Sequence, residues 1–194
     1  MKAVNTKQLL LEAGKPLIWE KGYSATGIQD VLRAANVPKG SFYHYFESKD
    51  AFVFATLESY IQEYETHIGH YLEDESLTPL VRLRQFFEAA GRWFSAQPSY
   101  RGCMIGNLSL ELAASNEVFR PQLADMLEQL RGRMLRCLQQ AQHNGELSAE
   151  LSADFLADFC LNGLHGALLR MKVNQNPAPL HAFLTILFDQ VLTR

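Results

Sequence analysis

Two short helical patterns separated by a three-residue break constrain the fold of this chain more than any other feature of its sequence. In the first pattern, Val31 and Leu32 belong to an apolar stripe with helical spacing. Asn36 suits the left-handed conformation that ends a helix, and Pro38 suits the first turn of the next. Two short helices joined in this way predict a helix-turn-helix over about residues 28–46.

Helical patterning continues along the rest of the chain, and no segment of useful length alternates as a strand does. Gly22 is expected to stop the first helix, and Thr26 with Gln29 has the spacing of a capping box for the second. Ser48 is the expected N-cap of the fourth. The remaining helices are predicted over residues 6–21, 49–71, 78–96, 104–114, 117–143, 152–174 and 179–193. The sequence therefore predicts an all-α fold.

Apolar runs and cysteines limit the class of protein. No apolar run approaches the ~18 residues of a membrane span, and the N-terminus lacks the apolar block of a signal peptide. These features predict a cytoplasmic protein with no membrane partner. Cys103, Cys137 and Cys160 are too far apart for a CxxC motif, and their odd number argues against a disulfide framework. No metal site and no cofactor is expected.

Charge is distributed unevenly along the chain. Residues 1–50 carry seven Lys/Arg and five Asp/Glu, whereas the remainder carries eleven and sixteen. A mildly basic head on an acidic body suits a protein that offers one end to phosphates.

Motifs of the common enzyme classes are missing from the sequence. It contains no Gly-rich phosphate loop, no HExxH and no GxSxG, and its six histidines lack ligand spacing. Glu111 and His165 would form an acid–base pair only if the fold brought them together. We therefore expect no enzymatic activity, and a helical interaction module without a ligand stays open as an alternative.

Residues 20–52, EKGYSATGIQDVLRAANVPKGSFYHYFESKDAF, resemble the DNA-binding domain of the tetracycline-repressor (TetR) family. The resemblance lies in the GY-x-x-T-G start, the Asn-Val-x-Lys-Gly turn and the FYHYF-x-SK ending. It implies an N-terminal three-helix DNA-binding domain over residues 1–48 and a helical inducer-binding and dimerisation domain over residues 49–194. It also implies a repressor that binds a palindromic double-stranded DNA operator as a homodimer and releases it on induction.

The third helix is the expected reading element, because the major groove admits a short helix whose N-terminal residues lie nearest the base edges. Phe42, Tyr45 and Phe46 are expected to anchor its other side. Thr26 and Lys49 are the expected phosphate contacts at the starts of the second and fourth helices. The residues expected to face DNA on the third helix are Lys39, Gly40, Ser41, Tyr43 and His44. The alternative is that these aromatic side chains only pack and that Lys39 is solvated.

Wide apolar stripes on the predicted helices 8 (152–174) and 9 (179–193) predict the dimer interface, and Gly163 and Gly166 would permit close helix approach. A homodimer also fits the DNA argument, because one short helix reads few base pairs. The alternative is a monomeric bundle core.

Two further segments, GCMIGNLSLEL at 102–112 and GALLRMKV at 166–173, resemble the branch of that family with N-ethylmaleimide-responsive (NemR-like) and acrylate-responsive (AcuR-like) repressors. The resemblance implies that Cys103 is a thiol that senses electrophiles and that Lys172 is its partner. A helix N-terminus and the nearby Arg101 would favour the thiolate. Two alternatives stay open: a small-molecule inducer bound without covalent chemistry, and a Cys103 that is merely a small buried apolar residue. The other candidate pocket residues are Trp93, Tyr100, Asn107, Glu111 and His165.

Overall fold

The computed structural model of the protein describes residues 5–192. Within that range the chain is helical and contains no strand. The α-helices are α1 (Thr6–Lys21), α2 (Ile28–Ala35), α3 (Gly40–Tyr45), α4 (Lys49–His67), α5 (Pro79–Ala96), α6 (Met104–Leu112), α7 (Phe119–His143), α8 (Ala153–Asn174) and α9 (Ala178–Ile186). The described chain also contains short 3-10 turns at Gly69–Glu73 and Pro98–Tyr100 and a π turn at Leu187–Val191. The predicted all-α fold is confirmed.

Local capping explains most of the helix ends in the N-terminal part. Gly22 ends α1 with a φ of 83°, Asn36 ends α2 in the left-handed conformation, and the Ser48 side chain accepts from the N–H of Ala51 at 3.0 Å. The predicted capping box was wrong, however. The residue that caps α2 is Gly27, whose N–H donates to the carboxylate of Asp30.

Three helices end earlier than the sequence predicts. α6 stops at Leu112 rather than at residue 114. α4 stops at His67 rather than near Tyr71, because Ile68 leaves the helical region with φ −135° and ψ −52°. α9 stops at Ile186 and continues as the π turn, and its predicted end at residue 193 lies outside the described residues.

The first three helices pack around an aromatic centre supplied partly by α4. Phe42 of α3 lies 5.3 Å from Phe52 of α4 between ring centroids, and Phe46 lies 5.1 Å from the same ring. Phe42 is fully buried, and α3 packs on α1, whose Leu10 and Ile18 are buried in the same core. α4 therefore belongs physically to the head at its start and to the body along the rest of its length.

The body is built from α5 to α9 around the distal part of α4. α7 and α8 pack along each other, and Arg131 of α7 ties them by ion pairs of 2.7 Å to Asp154 and 2.6 Å to Asp158. Phe86, Phe87 and Phe94 of α5 are fully buried in this core. α6 is short and lies between α1 and α8, where it contacts both the head and the body.

Candidate DNA interface and sensor cavity

α3 presents its polar residues to solvent and buries its anchors. Tyr43 is 59% exposed, whereas Phe42 and Phe46 are buried. The expected anchoring role of Tyr45 was wrong, because 38% of this residue is exposed. The expected DNA-facing residues are exposed or, for Ser41, half-buried: Lys39, Gly40, Ser41, Tyr43 and His44.

Gly40 leaves open space at the start of α3. A Cβ added there would meet no heavy atom within 4 Å. The backbone at this point therefore stands clear of the rest of the protein, as a groove-reading helix start requires.

The expected phosphate contact of Thr26 requires correction. Thr26 is only 1% exposed, and its hydroxyl lies 2.7 Å from the carbonyl of Gly22 and 3.2 Å from that of Leu17. The hydroxyl is used to close the α1–α2 loop and is not available to a phosphate in this conformation.

Lys49 lies at the first turn of α4, half-buried against Tyr23. Its Nζ is 4.2 Å from the centroid of the Tyr23 ring. The Tyr23 hydroxyl donates to Asp50 at 2.5 Å, and this hydrogen bond, with burial and the carboxylates of Asp50 and Glu111, raises the pKa of Tyr23 to about 12. Lys49 is thus held at the start of α4 against the α1–α2 loop.

Glu111 joins the body to the head, and it also lines an open cleft together with Asn107 and Lys172. Its carboxylate accepts from the backbone N–H of Tyr23 at 2.8 Å and of Ser24 at 2.7 Å. Burial alone would raise its pKa, but these hydrogen bonds and the charge of Lys49 hold the pKa of Glu111 below its ordinary value. An acid–base pair with His165 does not form, because His165 faces a different group.

That group is the thiol of Cys103, the residue immediately before α6. Burial alone would raise the pKa of this thiol. A hydrogen bond from His165 and its positive charge, with hydrogen bonds from the Gly106 backbone and Tyr60, outweigh burial and lower the pKa of Cys103 below its ordinary value. In turn, Cys103 raises the pKa of His165 despite burial. The two groups therefore favour a thiolate–imidazolium pair.

Lys172, the expected partner of Cys103, has a different neighbour. Its Nζ donates to the side-chain oxygen of Asn107 at 3.4 Å, and the Asn107 amide donates to the carbonyl of Arg101 at 2.9 Å. Arg101 itself pairs with Glu20 at 3.5 Å rather than with the thiol. His165, and not Lys172, is therefore the basic side chain beside Cys103.

Two cavities meet at Cys103 and His165, which line both. The smaller, about 80 Å³, lies between α4, α6, α7 and α8 and is also lined by Tyr60, Tyr64 and Arg133. The larger, about 350 Å³, lies between α6 and α8 and is also lined by Asn107 and Lys172. Sequence reasoning missed Tyr60 and Tyr64, whose i,i+4 spacing on α4 is shared with ordinary core positions.

Trp93 and Tyr100 line neither cavity. Trp93 packs in an aromatic cluster, with ring centroids 5.4 Å from Trp19 and 5.6 Å from Tyr60. Tyr100 lies at the 3-10 turn before α6 with a φ of 45°. Their places in an inducer pocket therefore stay predictions that these two cavities do not support.

Part of α8 leaves an apolar stripe uncovered. Phe155 and Val173 are each 74% exposed, and Phe159 and Leu169 lie between them on the same side. Gly166 belongs to this stripe, and a Cβ added there would meet nothing within 4 Å. Gly163 does not, because its added Cβ would overlap the Phe183 ring of α9 within the same protomer.

Neither a metal site nor a membrane span is found in the described part of the chain. No three His, Cys, Asp or Glu side chains within residues 5–192 are arranged to hold a metal ion. No helix in that range is long and apolar enough to cross a bilayer. Cys103, Cys137 and Cys160 are all free thiols.

Family models match both parts of the chain. Residues 10–56 match the model of bacterial regulatory proteins of the tetR family, and residues 79–187 match the tetracyclin repressor-like C-terminal domain. The chain belongs to the TetR family. Its relatives are transcriptional regulators, so this TetR-family chain is a DNA-binding regulator of transcription and not an enzyme.

Curated relatives of this TetR-family chain match over nearly its whole length. The transcriptional repressor DhaR of Mycobacterium sp. (strain GP1) is 38% identical over 192 residues, which cover 99% of this chain and 95% of DhaR. The transcriptional regulator AcuR of Cereibacter sphaeroides is 40% identical over 187 residues, which cover 96% of this chain and 85% of AcuR.

Solved TetR-family structures share the fold. The regulatory protein TetR from Rhodobacter sphaeroides superposes with a TM-score of 0.85 at 41% identity, over 94% of this chain and 96% of that one. The reduced form of E. coli NemR superposes with a TM-score of 0.84 at 26% identity, over 97% and 99%.

Proposed function

We propose that the protein is a dimeric repressor that binds a palindromic operator and releases it when an electrophile modifies Cys103. The observation that carries the proposal is the pairing of Cys103 with His165 at the start of α6, where both side chains face the two cavities. A thiolate is the nucleophilic form of cysteine, so this pairing favours reaction at neutral pH. The likeness to NemR, which is named as a transcriptional repressor, supports the proposed repression of transcription.

α6 supplies a physical route from the thiol to the head. Before its first turn, the carbonyl of Gly102 accepts from the indole N–H of Trp19 in α1 at 2.8 Å. Near its last turn, Glu111 holds the loop after α1 through Tyr23 and Ser24. A shift of α6 caused by an adduct at Cys103 would therefore move both of these contacts near the C-terminal end of α1. The placement of α3 would change with them.

DNA contact is assigned to the exposed side of α3 and to the start of α4. Lys39 and Tyr43 are exposed on α3, and Lys49 lies at the first turn of α4 against the Tyr23 ring. We assign base contacts to the N-terminal part of α3 and phosphate contacts to Tyr43, His44 and Lys49.

A homodimer through α8 and α9 completes the proposal. The uncovered stripe of α8 and the exposed Ile186 of α9 supply apolar area that a partner helix pair would bury. A two-fold dimer presents two α3 helices to successive major grooves, and this matches a palindromic operator.

The decisive experiment measures operator release. The full chain is footprinted on its own upstream DNA and then exposed to N-ethylmaleimide. We expect the wild type to release DNA and Cys103→Ser to remain bound. Equal release by both variants, or by neither, would show that the thiol is not the switch.

A second candidate is a small carboxylate inducer that binds without covalent chemistry. The Lys172 ammonium and the Asn107 amide lie together in the larger cavity, a cation and a hydrogen-bonding group suited to a carboxylate. Acrylate would then release DNA equally from the wild type and Cys103→Ser, whereas Lys172→Met would abolish the response.

A further inference from the structure

One tyrosine hydroxyl in the smaller cavity has no partner within residues 5–192. Tyr64 is only 8% exposed, and its hydroxyl oxygen is buried without a hydrogen bond. The side chain lines the same cavity as Cys103 and His165. Buried polar groups in folded proteins nearly always have a partner, so an unpartnered hydroxyl beside a cavity is a donor that a molecule in the cavity can satisfy.

The neighbouring Tyr60, one turn earlier on α4, differs in this respect. Its hydroxyl accepts from the N–H of Met104 at 3.4 Å and lies 3.8 Å from the Cys103 sulfur. Tyr60 is therefore engaged in holding the thiol, whereas Tyr64 keeps a donor free. Burial, followed by the negative charge of Cys103, raises the pKa of Tyr64 well above its ordinary value. The Tyr64 hydroxyl accordingly stays protonated and able to donate.

The charges around the cavity select against an anion. Arg133 lines the cavity, but its charge is already paired with two carboxylates: Nη1 pairs with Glu65, and Nε lies 3.0 Å from Glu73 without a hydrogen bond to it. Its Nη2 donates to the carbonyl of Gly69 at 2.6 Å. The other basic side chain of the lining is His165, which lies beside Cys103. An anionic ligand would thus enter beside the Glu65 carboxylate, and the nearby Arg133 charge is already offset by Glu65 and Glu73.

The volume of the cavity limits the size of its occupant. Its volume is about 80 Å³, roughly half the 150 Å³ of an apolar cavity that admits benzene. An occupant of roughly three to five non-hydrogen atoms fits this space.

We propose that this cavity binds small, uncharged α,β-unsaturated carbonyl compounds, with Tyr64 donating to the carbonyl oxygen and Cys103 adding to the β-carbon. The inference rests on the proposed function for the identity of Cys103 as the sensor thiol. It adds Tyr64 as the residue that selects electrophiles bearing a carbonyl oxygen.

The reaction is an addition without oxidation or reduction. The thiol proton of Cys103 passes to His165, and the thiolate sulfur then forms a bond to the β-carbon. The carbon–carbon π pair moves toward the carbonyl oxygen, where the enolate accepts the hydrogen bond of Tyr64. His165 returns the proton to the α-carbon, so the product is a thioether that retains the carbonyl group.

The test compares electrophiles that do and do not carry a carbonyl oxygen. Methyl vinyl ketone and allyl bromide are similar in size, and only the ketone can accept from Tyr64. The rate at Cys103 of the full chain is followed by site-resolved mass spectrometry and divided by the rate with N-acetylcysteine. In the wild type we expect this ratio to be at least about tenfold higher for the ketone, because hydrogen bonds to a developing oxyanion stabilise the transition state.

Tyr64→Phe removes the donor and keeps the ring. We expect its ketone rate to fall by about tenfold or more and its allyl bromide rate to stay within about twofold, and Tyr71→Phe, outside the cavity, serves as the matched control. Equal normalised rates for the two electrophiles in the wild type would overturn the assignment of Tyr64 as the carbonyl donor. Equal losses of the ketone rate and the allyl bromide rate in Tyr64→Phe would also overturn it. Acceleration of acrylate to the level of the ketone would overturn the restriction to uncharged ligands.

Operator binding is measured in parallel, so the two proposals fail separately. Tyr64-dependent addition without DNA release would leave the site standing and refute the proposed switch. Release of DNA by N-ethylmaleimide at Cys103, without a preference for carbonyl electrophiles, would support the proposed switch and refute the role of Tyr64.

Discussion

The carboxylate of Glu111, near the end of α6, accepts a hydrogen bond of 2.8 Å from the backbone N–H of Tyr23 in the loop after α1. A second bond of 2.7 Å comes from the N–H of Ser24. α6 begins beside Cys103 and ends at this joint, so one short helix connects the candidate sensor thiol to the DNA-binding head.

Replacing Glu111 tests this connection. Glu111→Ala leaves two backbone donors without their charged acceptor, and we expect a loss of about 1–2 kcal/mol in the free energy of unfolding. We also expect an electrophile to modify Cys103 at the wild-type rate while DNA release requires more adduct. Urea unfolding and a footprint titrated against adduct content measure the two effects. Glu117→Ala, an exposed carboxylate in the next loop, is the control, and identical behaviour of both variants would exclude a coupling role for Glu111.

The reactivity of Cys103 should depend on His165. His165 lowers the pKa of the thiol by favouring the charged form, so its removal must raise that pKa. In His165→Asn we expect the pH midpoint of iodoacetamide modification at Cys103 to move upward and the rate at pH 7 to fall. Stopped alkylation followed by mass spectrometry from pH 5 to 10 gives the midpoints at Cys103 in the wild type and in His165→Asn.

Cys160 provides an internal control in the same experiment. Burial raises the pKa of Cys160 to about 12, so this thiol should stay unmodified over the whole pH range in both proteins. A midpoint at Cys103 that is the same with and without the imidazole would refute the thiolate–imidazolium pair.

Lys49 should contribute affinity without base selectivity. We expect Lys49→Ala to weaken binding to operator and non-operator DNA alike and to reduce the slope of log K against log[salt] by about one. Tyr43→Ala should weaken binding while leaving the melting temperature unchanged, because Tyr43 lies outside the core. Fluorescence anisotropy at several salt concentrations checks both. Arg92→Ala on α5 removes an exposed charge far from α3, and an equal effect there would contradict the assignment.

Two glycines of α8 should behave differently on substitution. Gly166 faces open space in the uncovered stripe, so Gly166→Trp should keep the protomer folded and break the dimer. Gly163 packs against Phe183 within the protomer, and Gly163→Ala should lower the free energy of unfolding by about 1–3 kcal/mol through overpacking. Sedimentation and thermal unfolding separate the outcomes. A Gly166→Trp protein that still sediments as a dimer would place the interface elsewhere.

Local features of the sequence were sufficient to predict the helices and several of their ends. Gly22, Asn36 and Ser48 act through the backbone of their own turn, so their roles can be read from neighbouring residues. The wrong prediction of the cap at the start of α2 also involves only neighbouring residues. Thr26 is a residue type that often caps helices, but its hydroxyl donates to the carbonyls of Leu17 and Gly22. Gly27, whose N–H donates to Asp30, is the N-cap instead.

The sequence by itself determined that the chain is helical, that residues 28–46 form a helix-turn-helix, and that Cys103 precedes a helix. Tertiary structure decided which group meets the thiol. His165 and Lys172 are two turns apart on the same side of α8, and sequence spacing does not say which turn lies opposite Cys103. The axial position of α8 against α6 places His165 there and leaves Lys172 with Asn107. That position is set by the packing of α8 on α7 and α9, which involves residues distant in sequence from both partners.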